Sequence, residues 1–189
     1  VSIVSAASSG NGCPQGTVST TVNPDKTLIT LGYDAVRPHL GPGATPGMKS
    51  QNCVVHLRLK YPTGWRFIID KTRWHGIFSL TEDASATLYT LYEIVSSDTQ
   101  VINVPQANVN GSRFEQVDGD VFDVEYPIQR DDEIASMCGR EERSVSDGVG
   151  VHDRFALTAK KAGTEQDGFL VADTALFHQI GLRWEPCQR

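Results

Sequence analysis

The sequence has no Cys-x-x-Cys pair, no Gly-x-Ser-x-Gly elbow, no long apolar run and no basic stripe. Each absence excludes something. Without paired cysteines there is no zinc knuckle and no thioredoxin-like redox motif. Without the serine elbow there is no α/β-hydrolase nucleophile. No apolar stretch approaches the roughly 18 residues of a membrane-spanning helix. Basic residues are not gathered on one segment, so the electrostatic footprint that nucleic acid requires is missing. No window carries sustained helical periodicity, and no segment repeats.

What is present points to β-structure. From Val55 the chain alternates strictly: Val55, Leu57 and Leu59 share one parity, His56, Arg58 and Lys60 the other. That is a strand with one buried and one wet face. Val18–Val22 and Leu28–Tyr33 flank Asn23-Pro24-Asp25-Lys26, a turn set by the fixed φ of proline and by Asx side chains. Trp65 to Asp70, Trp74–Leu80, Ala86–Val95, Gly148–Lys160, Phe169–Val171 and Ala175–Glu185 read as further strands. About nine short strands between Pro/Gly turns indicate an all-β, jelly-roll-like antiparallel β-sandwich. A chain of 189 residues makes it one domain, 1–189, with 1–12 as an extended amino-terminal arm. Asp131–Cys138 has the composition of one helical turn.

The four cysteines are Cys13, Cys53, Cys138 and Cys187. Their even number and wide spacing suggest two disulfides and an oxidising compartment. Three pairings are open. Linking 13 to 53 and 138 to 187 is favoured, because each bond then closes a loop within one half of the chain. Each loop would contribute about 4 kcal/mol in the chain-entropy picture. Asn110-Gly111-Ser112 is a glycosylation sequon, which in a secreted chain places Asn110 on an exposed loop.

Net charge is −6, unevenly placed. Glu115–Glu133 carries eight acids and one base, so the rest of the chain is close to neutral. Within it Asp118, Asp120 and Asp123 have the spacing of oxygen donors around Gly119. That makes them a candidate calcium site, although the twelve-residue frame of an EF-hand and its closing glutamate are missing. The alternative is a solvated acidic loop. Among the histidines, His56, His75 and His152 fall on strands, His39 in a loop, and His178 on the face of Leu176, Ile180, Leu182 and Trp184. Buried or rim histidines satisfied by hydrogen bonds account for them unless partners converge. Tyr89, Tyr92 and Trp74 are candidates for stacking on sugars, against the usual placement of strand aromatics in the core.

The landmarks resemble those of a secreted, chiefly fungal family known as domain of unknown function 4360. The opening Ser9-Gly10-Asn11-Gly12-Cys13-Pro14-Gln15-Gly16-Thr17-Val18-Ser19 is similar to that family's opening. Pro24-Asp25, Gly41-Pro42-Gly43, Lys49–Cys53, Pro62-x-Gly64-Trp65, Cys138-Gly139 and Leu182-x-Trp184-x-Pro186-Cys187 fall where it has comparable signatures. The resemblance runs through essentially the whole chain. It implies a signal peptide, secretion and a disulfide-bonded β-rich domain, and it implies no activity. Residues 97–133 are the chain's most individual segment, where the resemblance is weakest.

The expectation is therefore a secreted, monomeric binding protein without a cofactor, unless the aspartates hold calcium. Its partner would be an extracellular glycan, cell-wall or host component, met through a sheet face or a long 97–133 loop. The alternative is a secreted hydrolase acting on glycan or peptide through carboxylates.

Overall fold

A computed structural model describes residues 1–95, 100–110, 120–139, 147–159, 168–171 and 176–187. Its strands in chain order are β1 (Ser2–Ser9), β2 (Val18–Val22), β3 (Leu28–Tyr33), β4 (His39–Leu40), β5 (Ser50–Lys60), β6 (Trp65–Leu80) and β7 (Ala84–Val95). They continue as β8 (Gln100–Asn110), β9 (Asp120–Pro127), β10 (Ile134–Ala135), β11 (Asp147–Ala159), β12 (Gly168–Val171) and β13 (Phe177–Pro186). One helical turn, α1 (Pro46–Lys49), precedes β5.

The strands form two antiparallel sheets packed face to face. One runs β1-β5-β11-β7-β8; the other runs β2-β3-β13-β6-β12-β4, with β9 and β10 also on β6. β6 is the spine of the larger sheet. β13 and then β12 line one of its edges, β10 and then β9 the other. The inner faces carry the core: Val55, Leu57 and Leu59 of β5, Val149, Val151 and Phe155 of β11, and Ile29 and Leu31 of β3 are all buried. The alternation read from the sequence holds in β5, where His56, Arg58 and Lys60 are exposed.

Several expectations change. The amino-terminal arm is strand β1, paired along β5 at the sheet edge. His39, expected in a loop, opens the short strand β4, and α1 follows it. The turn placed at Asp131–Cys138 is a 3-10 turn at Arg130–Asp132 followed by β10. Segment 97–133 is no long loop, since β8 and β9 occupy much of it.

The two strands expected at 65–70 and 74–80 are one 16-residue strand. They look separate because the buried parity switches within it. Phe67 and Ile69 face the core, and then Thr72, Trp74, Phe78 and Leu80 do. The ladder to β13 pairs Gly181 with Lys71 but Leu182 with Ile69, which leaves Asp70 as an extra residue. A one-residue bulge shifts every later side chain to the opposite face.

Both disulfides join the favoured partners. Cys13–Cys53 ties the β1–β2 connection to β5, and Cys138–Cys187 ties the chain after β10 to the end of β13.

Candidate functional site

Two groups of polar side chains stand out, one sealed and one open. The sealed group lies between the sheets. Asp153 sits on the inner face of β11 between Val151 and Phe155, and His178 on the inner face of β13; the side chains of both are fully buried. His178 Nδ1 lies 3.1 Å from Asp153 Oδ2. The Tyr33 hydroxyl donates to the same oxygen, and Thr90 donates to Asp153 Oδ1 at 2.9 Å. Trp74 Nε1–H donates to Thr90 at 3.2 Å, and the Trp74 ring stacks on His178 with centroids 4.1 Å apart.

On the far side of the imidazole, Nε2 lies 2.7 Å from Thr72 Oγ1 and 2.6 Å from the Tyr92 hydroxyl, which donates to Thr72 at 2.8 Å. Placing the histidine proton on Nδ1 uses each proton once. Tyr92 donates to Thr72, Thr72 to Nε2, and Nδ1–H to the carboxylate. Burial pushes both phenols well above their ordinary range, and Asp153 pushes Tyr33 further, so both stay protonated donors. The chain of donors ends on Asp153 without an orphan. Every member of it is buried, so it clamps one sheet to the other and offers no place for a substrate.

The open group lies at the Asp70 bulge. A groove of about 580 Å³ is lined by Asn23, Thr27, Leu28, Asp70, Lys71, Leu182, Arg183 and Trp184. Its wall is the β2–β3 turn. Asn23 Oδ1 accepts from the backbone N–H groups of Thr27 and Leu28, each at 2.9 Å, which fixes that turn. Lys26 takes a φ of 62°, the left-handed conformation the turn needs. Its carbonyl then accepts the Trp184 indole N–H at 2.8 Å. The half-buried Trp184 ring is held from below by Tyr61 and Phe67, with centroids 6.1 and 5.9 Å away.

The floor is the bulge itself. A Cβ at Gly181 would stand 2.6 Å from Asp70 Oδ1 and 2.2 Å from Lys71 Cγ, so only glycine lets these side chains cross β13. Oδ1 turns inward and has no hydrogen-bond partner. Burial raises the Asp70 carboxyl above the usual carboxylate range, against the pull of Lys71 and Arg183. The groove's cations are already engaged. Lys71 pairs with Glu125 at 3.5 Å, and Arg183 with Glu133 at 2.6 Å and with Glu185. Hydrogen bonds from Arg66 and then Arg183 hold the Glu185 carboxyl low. Asp70 is thus the one carboxylate lining the groove, and it has no ion pair among the described residues.

The residues singled out from sequence are scattered. Trp74 and Tyr92 are core residues, because the bulge and the β7 register turn them inward, so neither can stack on a sugar. Tyr89 is exposed, with the Arg154 guanidinium 5.7 Å from its ring centre. Asn110 is exposed at the end of β8, in a strand and not a loop; Gly111 and Ser112 lie outside the described residues. Asp118 also lies outside them. Asp120 opens β9, and Asp123 forms a two-pronged ion pair with Arg73 that holds its carboxyl below the ordinary range. Asp153, absent from the sequence-derived candidates, was marked by its parity: a charge between Val151 and Phe155 must find a partner in the core. Asp70 and the exposure of Trp184 had no such mark, because both follow from the bulge and the facing turn.

The model of the family described as domain of unknown function (DUF4360) matches residues 1–187. The chain belongs to the DUF4360 family. An uncharacterized secreted protein of Arthroderma benhamiae is 25% identical over 190 residues, covering 99% of this chain and 72% of the relative. With two disulfides and no free cysteine, this DUF4360 chain is a secreted β-sandwich protein.

Among solved structures, TmCBM61 in complex with beta-1,4-galactotriose is 8% identical, covers 94% of this chain and 89% of its own, and gives a TM-score of 0.27. The family 11 carbohydrate-binding module from Clostridium thermocellum is 10% identical over 100% of this chain and 92% of its own, also at 0.27. No helix among the described residues is long and apolar enough to cross a membrane.

Proposed function

We propose that the protein is an extracellular glycan-binding protein and that a sugar docks in the groove between the β2–β3 turn and the Asp70 bulge. The observation that supports this is the fixed, half-buried Trp184 ring beside Asn23, Thr27 and Asp70 in an open groove. A pyranose presents a C–H face and a rim of hydroxyls. A rigid aromatic surface flanked by a few polar groups matches both parts. Leu28 and Leu182 add apolar lining.

The charges favour binding over hydrolysis. Carboxylate-based glycoside hydrolysis takes two acids free to act on one bond. Asp70 is the one carboxylate lining the groove among the described residues, and Glu133 and Glu185 beside it are each held by Arg183. The test is a glycan array followed by titration calorimetry with the best neutral oligosaccharide. Trp184→Ala and Asp70→Asn should each weaken binding at least tenfold, while Tyr89→Ala leaves it unchanged. Binding that survives both groove substitutions would move the site elsewhere, and no binding on the array would remove the reading.

A further inference from the structure

The outer face of the five-stranded sheet carries a second group of side chains, remote from the groove in the fold. β11 runs between β5 and β7, and Gly150 stands opposite His56 on one side and Glu93 on the other. His152 is the next residue of β11 on that face, two positions on. His56, His152 and Glu93 therefore surround Gly150 from three adjacent strands. All three reach solvent: His56 is exposed, and the side chains of His152 and Glu93 are 36% and 29% accessible.

Gly150 leaves a bowl between them. A Cβ there would lie 3.2 Å from His152 Nε2 and 3.3 Å from Glu93 Oε2. Those two atoms are themselves 3.3 Å apart. The His56 ring meets the His152 ring edge to face, with centroids 6.3 Å apart.

We propose that His56, His152 and Glu93 bind a divalent transition-metal ion of the zinc type over Gly150. Imidazole nitrogen with one carboxylate suits such an ion, whereas calcium and magnesium require mostly oxygen. Zinc bonds of about 2.0–2.1 Å in a tetrahedron put neighbouring donors about 3.3 Å apart. His152 Nε2 and Glu93 Oε2 already stand at that spacing, so an ion replaces their mutual hydrogen bond without moving the strands.

As the side chains lie, no three such donors among the described residues close on one point. The missing step is a turn of the exposed His56 ring about its own side-chain bonds, from the edge of His152 toward the bowl. Water takes the fourth position. The bare Gly150 backbone is what keeps the centre open, since a side chain there would occupy the ion's place.

Titration calorimetry of chelator-treated protein with zinc chloride tests the site. The expected result is one zinc per chain at neutral pH. His56→Ala, His152→Ala and Glu93→Gln should each weaken zinc at least tenfold, and Gly150→Val should abolish it. Circular dichroism checks that each variant is folded. His75→Ala, on the other sheet beside Asp123, should bind as the parent does. The proposal is overturned by absence of zinc binding to the parent, or by His56→Ala binding zinc unchanged. None of these substitutions touches the groove, so the outcome is independent of the glycan reading.

Discussion

Asp153 and His178 meet midway between the two sheets, Oδ2 to Nδ1 at 3.1 Å, on strands that share no backbone hydrogen bond. The pair is a cross-sheet tie in a largely apolar interior. Tyr33, Thr72, Thr90 and Tyr92 complete it from both sides. Such a cluster holds one register of sheet on sheet, because any slide leaves a buried charge unmatched.

Removing the carboxylate should therefore be severe. Asp153→Ala leaves three donors facing nothing and should cost about 3–5 kcal/mol. That corresponds to a fall in melting temperature of roughly 6–20 °C for a domain of this size. Tyr33→Phe deletes one hydrogen bond to a charged acceptor and should cost about 1.5–3 kcal/mol. Urea unfolding of both variants measures this. A loss below about 1 kcal/mol for Asp153→Ala would mean that the pair does not tie the sheets.

β5 offers a test of register. Leu57 is fully buried and Arg58 is exposed. Leu57→Ala should lose roughly 2–5 kcal/mol, and Arg58→Ala about 0.5 kcal/mol or less. Equal losses in chemical denaturation would contradict the facing of the whole strand.

Asp70 should make stability depend on pH in a particular direction. Burial raises its carboxyl in the folded state, so the folded protein holds that proton more tightly than the unfolded chain. The stabilisation is complete below the unfolded value near 3.9 and is lost as pH rises through the folded one. At neutral pH the group is a charge held in an unfavourable place. Asp70→Asn should then be at least as stable as the parent at neutral pH, with its relative advantage vanishing in acid. Denaturant midpoints at the two pH values read this out, and a variant that is less stable at neutral pH would refute it.

Calcium should leave the protein unchanged. Asp123 is already engaged by Arg73, with His75 3.8 Å away. An ion there would have to displace a guanidinium. The expected melting curves with calcium and with chelator superimpose. A bound ion at one hundred times its dissociation constant would instead add about 2.7 kcal/mol, or roughly 5–10 °C. A shift of that size, abolished by Asp120→Asn, would instead establish a calcium site at Asp118, Asp120 and Asp123.

Local pattern was enough to read the class of fold. Alternation in residues 55–60 and 149–157, the Asn23-Pro24 turn and four widely spaced cysteines follow rules that span a few residues or one loop. Such rules are written in the sequence itself. The groove is another matter. Asp70 points where it does because one extra residue in β6 faces Gly181 on β13, more than a hundred positions away. Trp184 stays partly exposed because its indole N–H donates to the Lys26 carbonyl. His56, His152 and Glu93 come together only because β11 lies between β5 and β7. Strand order and bulges are settled by non-local pairing, so the sequence determined which residues lie on strands and which faces they share. Which residues became neighbours was decided by the tertiary structure, since contacts between distant strands depend on the packing of the whole sandwich.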